Sequence, residues 1–160
     1  MSVLVAGIGN IFLGDDAFGV EVVRRLADRK LPDGVQVVDF GIRDFDLAHA
    51  LMDSDSTAVL VDATPRGGEP GTLYLLEAAV EAGEPSLLIE THAMDPATVL
   101  RLVEALGGRP PRVLVVGCEP ATVDLDEEGQ IGLSPAVEAA VDEAVRMVES
   151  LVIDLEGSSA

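Results

Sequence analysis

The sequence predicts an α/β protein of three layers, in which a mostly parallel, twisted sheet of about five strands has helices on both faces. Short runs rich in Val, Ile and Leu recur along the chain, and segments with a helical spacing of apolar residues separate them. The runs are nearly continuous in apolar residues, which is typical of parallel strands covered on both sides.

Five of these runs are expected to form the strands. In chain order they are 2–7 (SVLVAG), 35–39 (VQVVD), 57–61 (TAVLV), 71–76 (GTLYLL, with an alternating pattern) and 112–116 (RVLVV). A shorter run, 86–89 (SLLI), is either an additional strand or the start of a loop or helix.

The segments between the strands predict helices at 16–29, 44–52 and 96–106, and a last helix from Ser134-Pro135 to about Leu151. Asp95 and Ser134 are good N-caps, and each precedes a proline suited to the first helical position. Residues 1–155 are expected to form a single domain, followed by a frayed tail at 156–160.

Composition limits the possible partners. The chain of 160 residues has 10 Lys and Arg against 29 Asp and Glu, a net charge of -19, so phosphate backbones and anionic membranes are expected to repel it. Aromatic residues make up 3%, too few for a nucleic-acid stacking platform. Alternatively, the acidic residues only maintain solubility.

A single cysteine, no signal peptide and no apolar run of roughly 18 residues predict a cytoplasmic protein.

Polar residues directly after the predicted strands are candidates for a functional site. In parallel sheets the strand ends meet at one edge, and ligands bind there. Acidic groups and one imidazole occupy these positions. They are Asp15 and Asp16 beyond the first strand, Asp39 at the end of the second, Asp62 after the third, His92 after the 86–89 run and Glu119 after the fifth. Two carboxylates and an imidazole predict a divalent metal site with open coordination positions, suited to nickel, zinc, cobalt or manganese.

Each of these residues also has a structural interpretation. Asp15 or Asp16 is suited to capping the following helix, Asp62 to a turn before Pro65, and His92 to a hydrogen-bonded loop.

Two further reactive side chains are interpreted as structural. His49 lies three residues after Asp46 within a helical segment and is expected on the helix surface, and Cys118 is expected to be a small buried apolar residue.

Several other active-site motifs are missing. The sequence contains no G-K-[ST], no H-E-x-x-H and no G-x-S-x-G. Gly7 and Gly9 resemble the start of a dinucleotide-binding turn, but Phe12 stands where the third glycine belongs. A nucleotide-binding domain is therefore a weak alternative.

Residues 7–19 (GIGNIFLGDDAFG) resemble the opening motif of the hydrogenase maturation proteases, G-x-G-N, two or three residues, then G-D-[DE]-G-x-G. Only the next-to-last glycine differs, at Ala17. The family's G-x-[QE]-P motif matches residues 117–120 (GCEP), so the similarity spans roughly residues 3–148.

The resemblance implies specific roles. The family's three metal ligands correspond to Asp16, Asp62 and His92, which would recognise nickel already inserted into a hydrogenase large-subunit precursor. The enzyme would then cut off the C-terminal extension of that precursor, without holding a tight metal of its own. Either the metal polarises the scissile carbonyl or activates a water, or Asp16 or Asp62 acts as a general base.

One departure concerns the contact with the precursor. Many members have D-G-G-T after the second strand, at a surface thought to meet the precursor. Here Asp39 and Gly41 match, whereas Phe40 and Ile42 do not. Besides the endopeptidase, a non-enzymatic module that checks or escorts a nickel protein remains an alternative.

Overall fold

The computed structural model describes residues 3–10, 14–52, 57–78, 96–109, 111–121 and 132–157. These residues form five strands, β1 (Val3–Ile8), β2 (Val35–Gly41), β3 (Ala58–Ala63), β4 (Leu73–Ala78) and β5 (Val113–Cys118). They also form four α-helices, α1 (Phe18–Leu26), α2 (Asp44–Met52), α3 (Pro96–Ala105) and α4 (Pro135–Gly157), and a 3-10 turn, Gly14–Ala17. The 86–89 run lies outside the described residues.

The sheet has the strand order β2-β1-β3-β5-β4. Strands β2, β1, β3 and β5 run parallel, and β4 is antiparallel to β5 at the edge. Consecutive strands β1 and β2 lie side by side, but β3 lies on the other side of β1. This reversal creates a crevice at the carboxyl ends of β1 and β3, where open α/β sheets bind their ligands.

Two apolar clusters confirm the predicted three layers. Alternate residues of the strands face opposite sides of the sheet. On one side Val5, Val59 and Val116 pack against α1 and α4. On the other side Leu60 and Val115 pack against α2 and α3.

Three helix boundaries differ clearly from the prediction, and the expected frayed tail does not begin at residue 156. The first helix ends at Leu26 rather than at residue 29, and the last helix includes residues 156 and 157. The first helix was expected from residue 16, but a 3-10 turn occupies Gly14–Ala17 and the α-helix begins at Phe18. The last helix continues beyond Leu151 to Gly157, because buried Val152 extends its apolar face. No helix of the described residues is long and apolar enough to cross a membrane.

Arg25 connects α1 to α4 on the surface of the first cluster. Its guanidinium forms ion pairs with Glu138 at 2.7 Å, Asp142 at 2.9 Å and Glu21 at 3.1 Å. The hydrogen bond to Glu138 contributes most to raising the pKa of Arg25 above its ordinary value. Since one cation bridges three acids, it offsets local repulsion in a strongly acidic chain.

Replacing Arg25 by alanine should lower the free energy of unfolding by about 1 kcal/mol and the Tm by about 2–4 °C, because three partly exposed ion pairs are lost. Thermal denaturation checks this. Arg24→Ala is the matched control, since Arg24 is exposed on the same helix and forms no ion pair with a described residue. Equal Tm values for the two variants would contradict the bridging role.

Candidate active site

The loop after β1 folds back onto the 3-10 turn that carries Asp16. Gly9 has φ of 145°, and a Cβ placed on it would lie 1.8 Å from the carbonyl oxygen of Asp16. The N–H of Asn10 donates a hydrogen bond of 2.8 Å to Oδ2 of Asp16. Only glycine fits at position 9, and this close contact holds the half-buried carboxylate of Asp16 beside the end of β1.

The start of α1 contacts the ends of β1 and β3 directly. A Cβ on Gly19 would lie 2.0 Å from the carbonyl oxygen of Val61 and 2.4 Å from that of Ile8. Asp16 precedes Gly19 by three residues, and Asp62 directly follows Val61. This backbone contact therefore brings the segments that carry the two predicted ligands to the same crevice.

Asp62 is buried at the end of β3, with 8% of its surface exposed. It is paired in register with Gly117 of β5. A Cβ on Gly117 would lie 2.2 Å from Oγ1 of Thr64, whose hydroxyl donates to the carbonyl of Asp62 at 3.3 Å. The missing side chain at position 117 thus makes room for Thr64 beside Asp62.

Asp15 has a structural role that separates it from Asp16. It is 3% exposed and accepts hydrogen bonds from the N–H of Ala121 at 2.8 Å, the N–H of Ser134 at 2.6 Å and the hydroxyl of Ser134 at 2.8 Å. Rather than capping its own helix, it fastens the β1 loop to the segments after β5 and before α4. The partners lie more than a hundred residues away in sequence, so no local pattern could reveal them.

Asp39 and Gly41 lie beside the β1 loop. The pairing of β1 with β2 shifts from Gly7↔Asp39 to Ile8↔Gly41, so Phe40 is an extra residue in a bulge. The carbonyl of Gly41, with φ of 58°, accepts the N–H of Gly9 at 2.9 Å. The bulge places exposed Asp39 at the same edge of the sheet as the loop that contacts Asp16.

Phe40, which departs from the family motif, is 6% exposed and packs among the apolar residues of α2 and α3. Its side chain therefore contributes to the core. Ile42 is 56% exposed.

Glu119 of the G-x-[QE]-P motif is buried and hydrogen-bonded, a role that the sequence did not predict. It is 5% exposed, and its Oε1 accepts hydrogen bonds from the hydroxyl of Tyr74 at 2.7 Å and from the N–H groups of Arg66 and Gly68 at 2.8 and 2.9 Å. The G-x-[QE]-P motif thereby fastens the loop that follows Asp62.

Hydrogen bonds decide the charge state of Glu119. Burial acts to raise the pKa of this carboxyl, but the hydroxyl of Tyr74 and the loop N–H groups stabilise the carboxylate and hold its pKa below the ordinary value. The same hydrogen bond raises the pKa of Tyr74.

The other reactive side chains occupy the positions that were predicted. His49 is exposed on α2. Cys118 is fully buried, and burial raises the pKa of its thiol to about 11, so it is not a nucleophile at neutral pH.

The structure describes two of the three predicted metal ligands. His92 lies outside the described residues. Among the described residues, no three His, Cys, Asp or Glu side chains are grouped so that they could hold a metal ion. A three-ligand site therefore remains a prediction.

The comparisons with known proteins agree on one family. The model of the HycI hydrogenase maturation protease family matches residues 20–151. The hydrogenase 2 maturation protease of Escherichia coli is 32% identical over 152 residues, which cover 92% of this chain and 88% of that protein. The chain belongs to the hydrogenase maturation proteases. It is therefore a peptidase, and the predicted resemblance is confirmed.

Solved structures of this family share the fold. The hydrogenase maturating endopeptidase HybD from E. coli superposes with a TM-score of 0.75 at 32% identity, covering 96% of this chain and 93% of that one. The hydrogenase 2 maturation peptidase from a Thaumarchaeota archaeon gives 0.69 at 30% identity, with 95% and 98% covered. The chain therefore has the fold of these enzymes.

The two neighbouring acids of the opening motif should differ in their effect on stability. Asp15→Ala should lower the free energy of unfolding by about 3 kcal/mol, because three donors on the half-buried residues Ala121 and Ser134 lose a charged acceptor. Asp16→Ala should cost less than about 1 kcal/mol, since one backbone N–H loses its partner at a half-buried site. Urea denaturation compares the two. Equal losses would show that Asp15 has no special structural role.

The charge of Glu119 should make stability depend on pH. Because its pKa is lowered in the folded state, its charge stabilises the protein above the unfolded-state pKa, and this contribution is lost as the pH falls through the folded-state pKa. Glu119→Gln should therefore be less stable than the wild type at neutral pH, and the difference should shrink at about pH 3.

Urea denaturation at both pH values measures this difference. Glu104→Gln, at an exposed position of α3, is the control. A difference between Glu119→Gln and the wild type that stays constant with pH would mean that the charge contributes nothing.

Proposed function

We propose that this chain is an endopeptidase that removes the C-terminal extension of a nickel-loaded hydrogenase large-subunit precursor. Asp16, Asp62 and His92 recognise the nickel. The main support is the backbone contact of Gly19 with Val61, which brings the segments that carry Asp16 and Asp62 to the crevice between β1 and β3, in a chain of the hydrogenase maturation protease family.

Nickel is part of the substrate in this proposal. Two carboxylates and one imidazole, without a thiolate, form a moderate site with open positions. Such a site engages a metal that already has ligands from the precursor. Oδ2 of Asp16 accepts the N–H of Asn10, which orients this carboxylate beside the end of β1. Other divalent metals with similar ligand preferences could replace nickel.

Two mechanisms are compatible with these residues. A metal held by the three side chains polarises the scissile carbonyl or activates a water. Alternatively, Asp16 or Asp62 accepts a proton from the attacking water, as in an aspartic-type endopeptidase. We place the reaction in the cytoplasm, where a protein with one buried thiol is stable.

The precursor is expected to contact the exposed segment around Asp39 and Gly41. This segment lies beside the β1 loop, through the hydrogen bond between Gly9 and Gly41. A precursor bound there would lie next to the crevice. The net negative charge of the chain is expected to repel nucleic acids and anionic membranes, so neither is a proposed partner.

The test measures the intact mass of a large-subunit precursor from the same organism, with and without inserted nickel, after incubation with the protein. Loss of a short C-terminal segment only from the nickel-loaded form is the expected result. Binding that depends on nickel without cleavage would instead support the escort module. Cleavage regardless of nickel would disprove metal recognition.

His92→Ala should reduce processing by at least about a hundredfold, because a ligand or proton-transfer group is lost. His49→Ala is the matched control, since His49 is exposed on α2, and it should process normally. The rate of mass loss measures both variants, and circular dichroism verifies their folding. Normal processing by His92→Ala would remove this residue from the site.

A further inference from the structure

Arg66 differs from the arginines that form ion pairs. Arg25, Arg29, Arg43, Arg112 and Arg146 each pair with a carboxylate. The exposed guanidinium of Arg66 pairs with no carboxylate of the described residues, although the chain contains 29 acids.

The position of Arg66 is nevertheless well defined. Its backbone N–H donates to Glu119, and its guanidinium lies 5.8 Å from the ring centroid of Tyr74. The Tyr74 hydroxyl is itself held by Glu119. Pro65 restricts the backbone directly before Arg66. The cation is thus presented on a fixed aromatic platform with its hydrogen-bond donors towards solvent.

Register places this platform on the same side of the sheet as Asp62. Gly117 is paired with Asp62 on β3 and with Tyr74 on β4. Directly opposed residues of neighbouring strands point to the same face, so the side chains of Asp62 and Tyr74 share one face. Two strand spacings separate them, about 10 Å, which is roughly three residues of an extended peptide.

We infer that Arg66 forms a subsite for a carboxylate of the precursor within about four residues of the scissile bond. This inference rests on the proposed function. A planar guanidinium binds a carboxylate through two parallel hydrogen bonds, which fixes the register of an extended peptide. The surface of this acidic protein repels acidic residues of a bound peptide. Arg66 would therefore attract an acidic residue to one position at this edge.

Steady-state cleavage of the nickel-loaded precursor tests this role. Arg66→Gln should raise KM about tenfold and leave kcat within about twofold, because the lost contact involves binding and not chemistry. Arg66→Lys should recover part of the loss, since it keeps the charge without the planar fork. Arg24→Gln, which changes an exposed arginine of α1, should behave as the wild type. Rising salt should raise KM for the wild type more than for Arg66→Gln.

A second arm changes the precursor. Asp and Glu residues within about four positions of the cut are replaced by Asn and Gln. The altered precursor should raise KM for the wild type and have no further effect on Arg66→Gln. Unchanged KM in Arg66→Gln, or independent effects of the two changes, would overturn the subsite. A fall in kcat together with Tm would assign Arg66 a structural role instead.

The same experiment distinguishes failure of the proposed function from failure of the subsite. If the wild type leaves the nickel-loaded precursor uncut, the endopeptidase proposal is wrong, and the subsite is rejected with it. If the wild type cuts and Arg66→Gln cuts with the same KM, only the subsite is wrong.

Discussion

The close contact between the start of α1 and the ends of β1 and β3 is the constraint on which the active-site edge depends. Gly19 lies against the carbonyls of Ile8 and Val61, and Gly9 lies against the carbonyl of Asp16, at distances where a Cβ would collide with backbone. Backbone atoms cannot move aside as a flexible side chain can, so these positions accept only glycine. The acids that flank the contact are therefore placed by backbone packing, before any side-chain interaction contributes.

Two buried carboxylates, Asp15 and Glu119, then hold the loops around this edge. Each accepts hydrogen bonds from three donors that belong to distant segments, and neither forms an ion pair with a described cation. Donors from backbone and hydroxyl groups satisfy a buried charge without requiring a lysine or arginine. This arrangement suits a chain in which acids far outnumber basic residues. Asp16 and Asp62 belong to the segments that meet at the crevice between β1 and β3.

The sequence predicted the five strands within two residues at every boundary, because continuous apolar runs directly reflect burial on both faces. It also predicted that Asp16 and Asp62 follow strands that end at a common edge, and the packing of Gly19 on Val61 explains why they do. The roles of Asp15 and Glu119 could not be predicted, since their partners are set by tertiary packing. The sequence did not predict the bulge at Phe40 for the same reason, because the bulge arises from the pairing of Gly41 with Ile8.

The limited number of protein ligands in the proposed site has a consequence for specificity. If Asp16, Asp62 and His92 bound nickel tightly alone, free metal would occupy the enzyme and carry no information about the precursor. A weaker, thiolate-free set binds metal effectively only when the precursor supplies the remaining ligands. Metal and precursor then increase each other's affinity by the same factor, as thermodynamic linkage requires. Under the proposed function, weak metal binding by the free enzyme would therefore be what allows it to distinguish loaded from empty precursor.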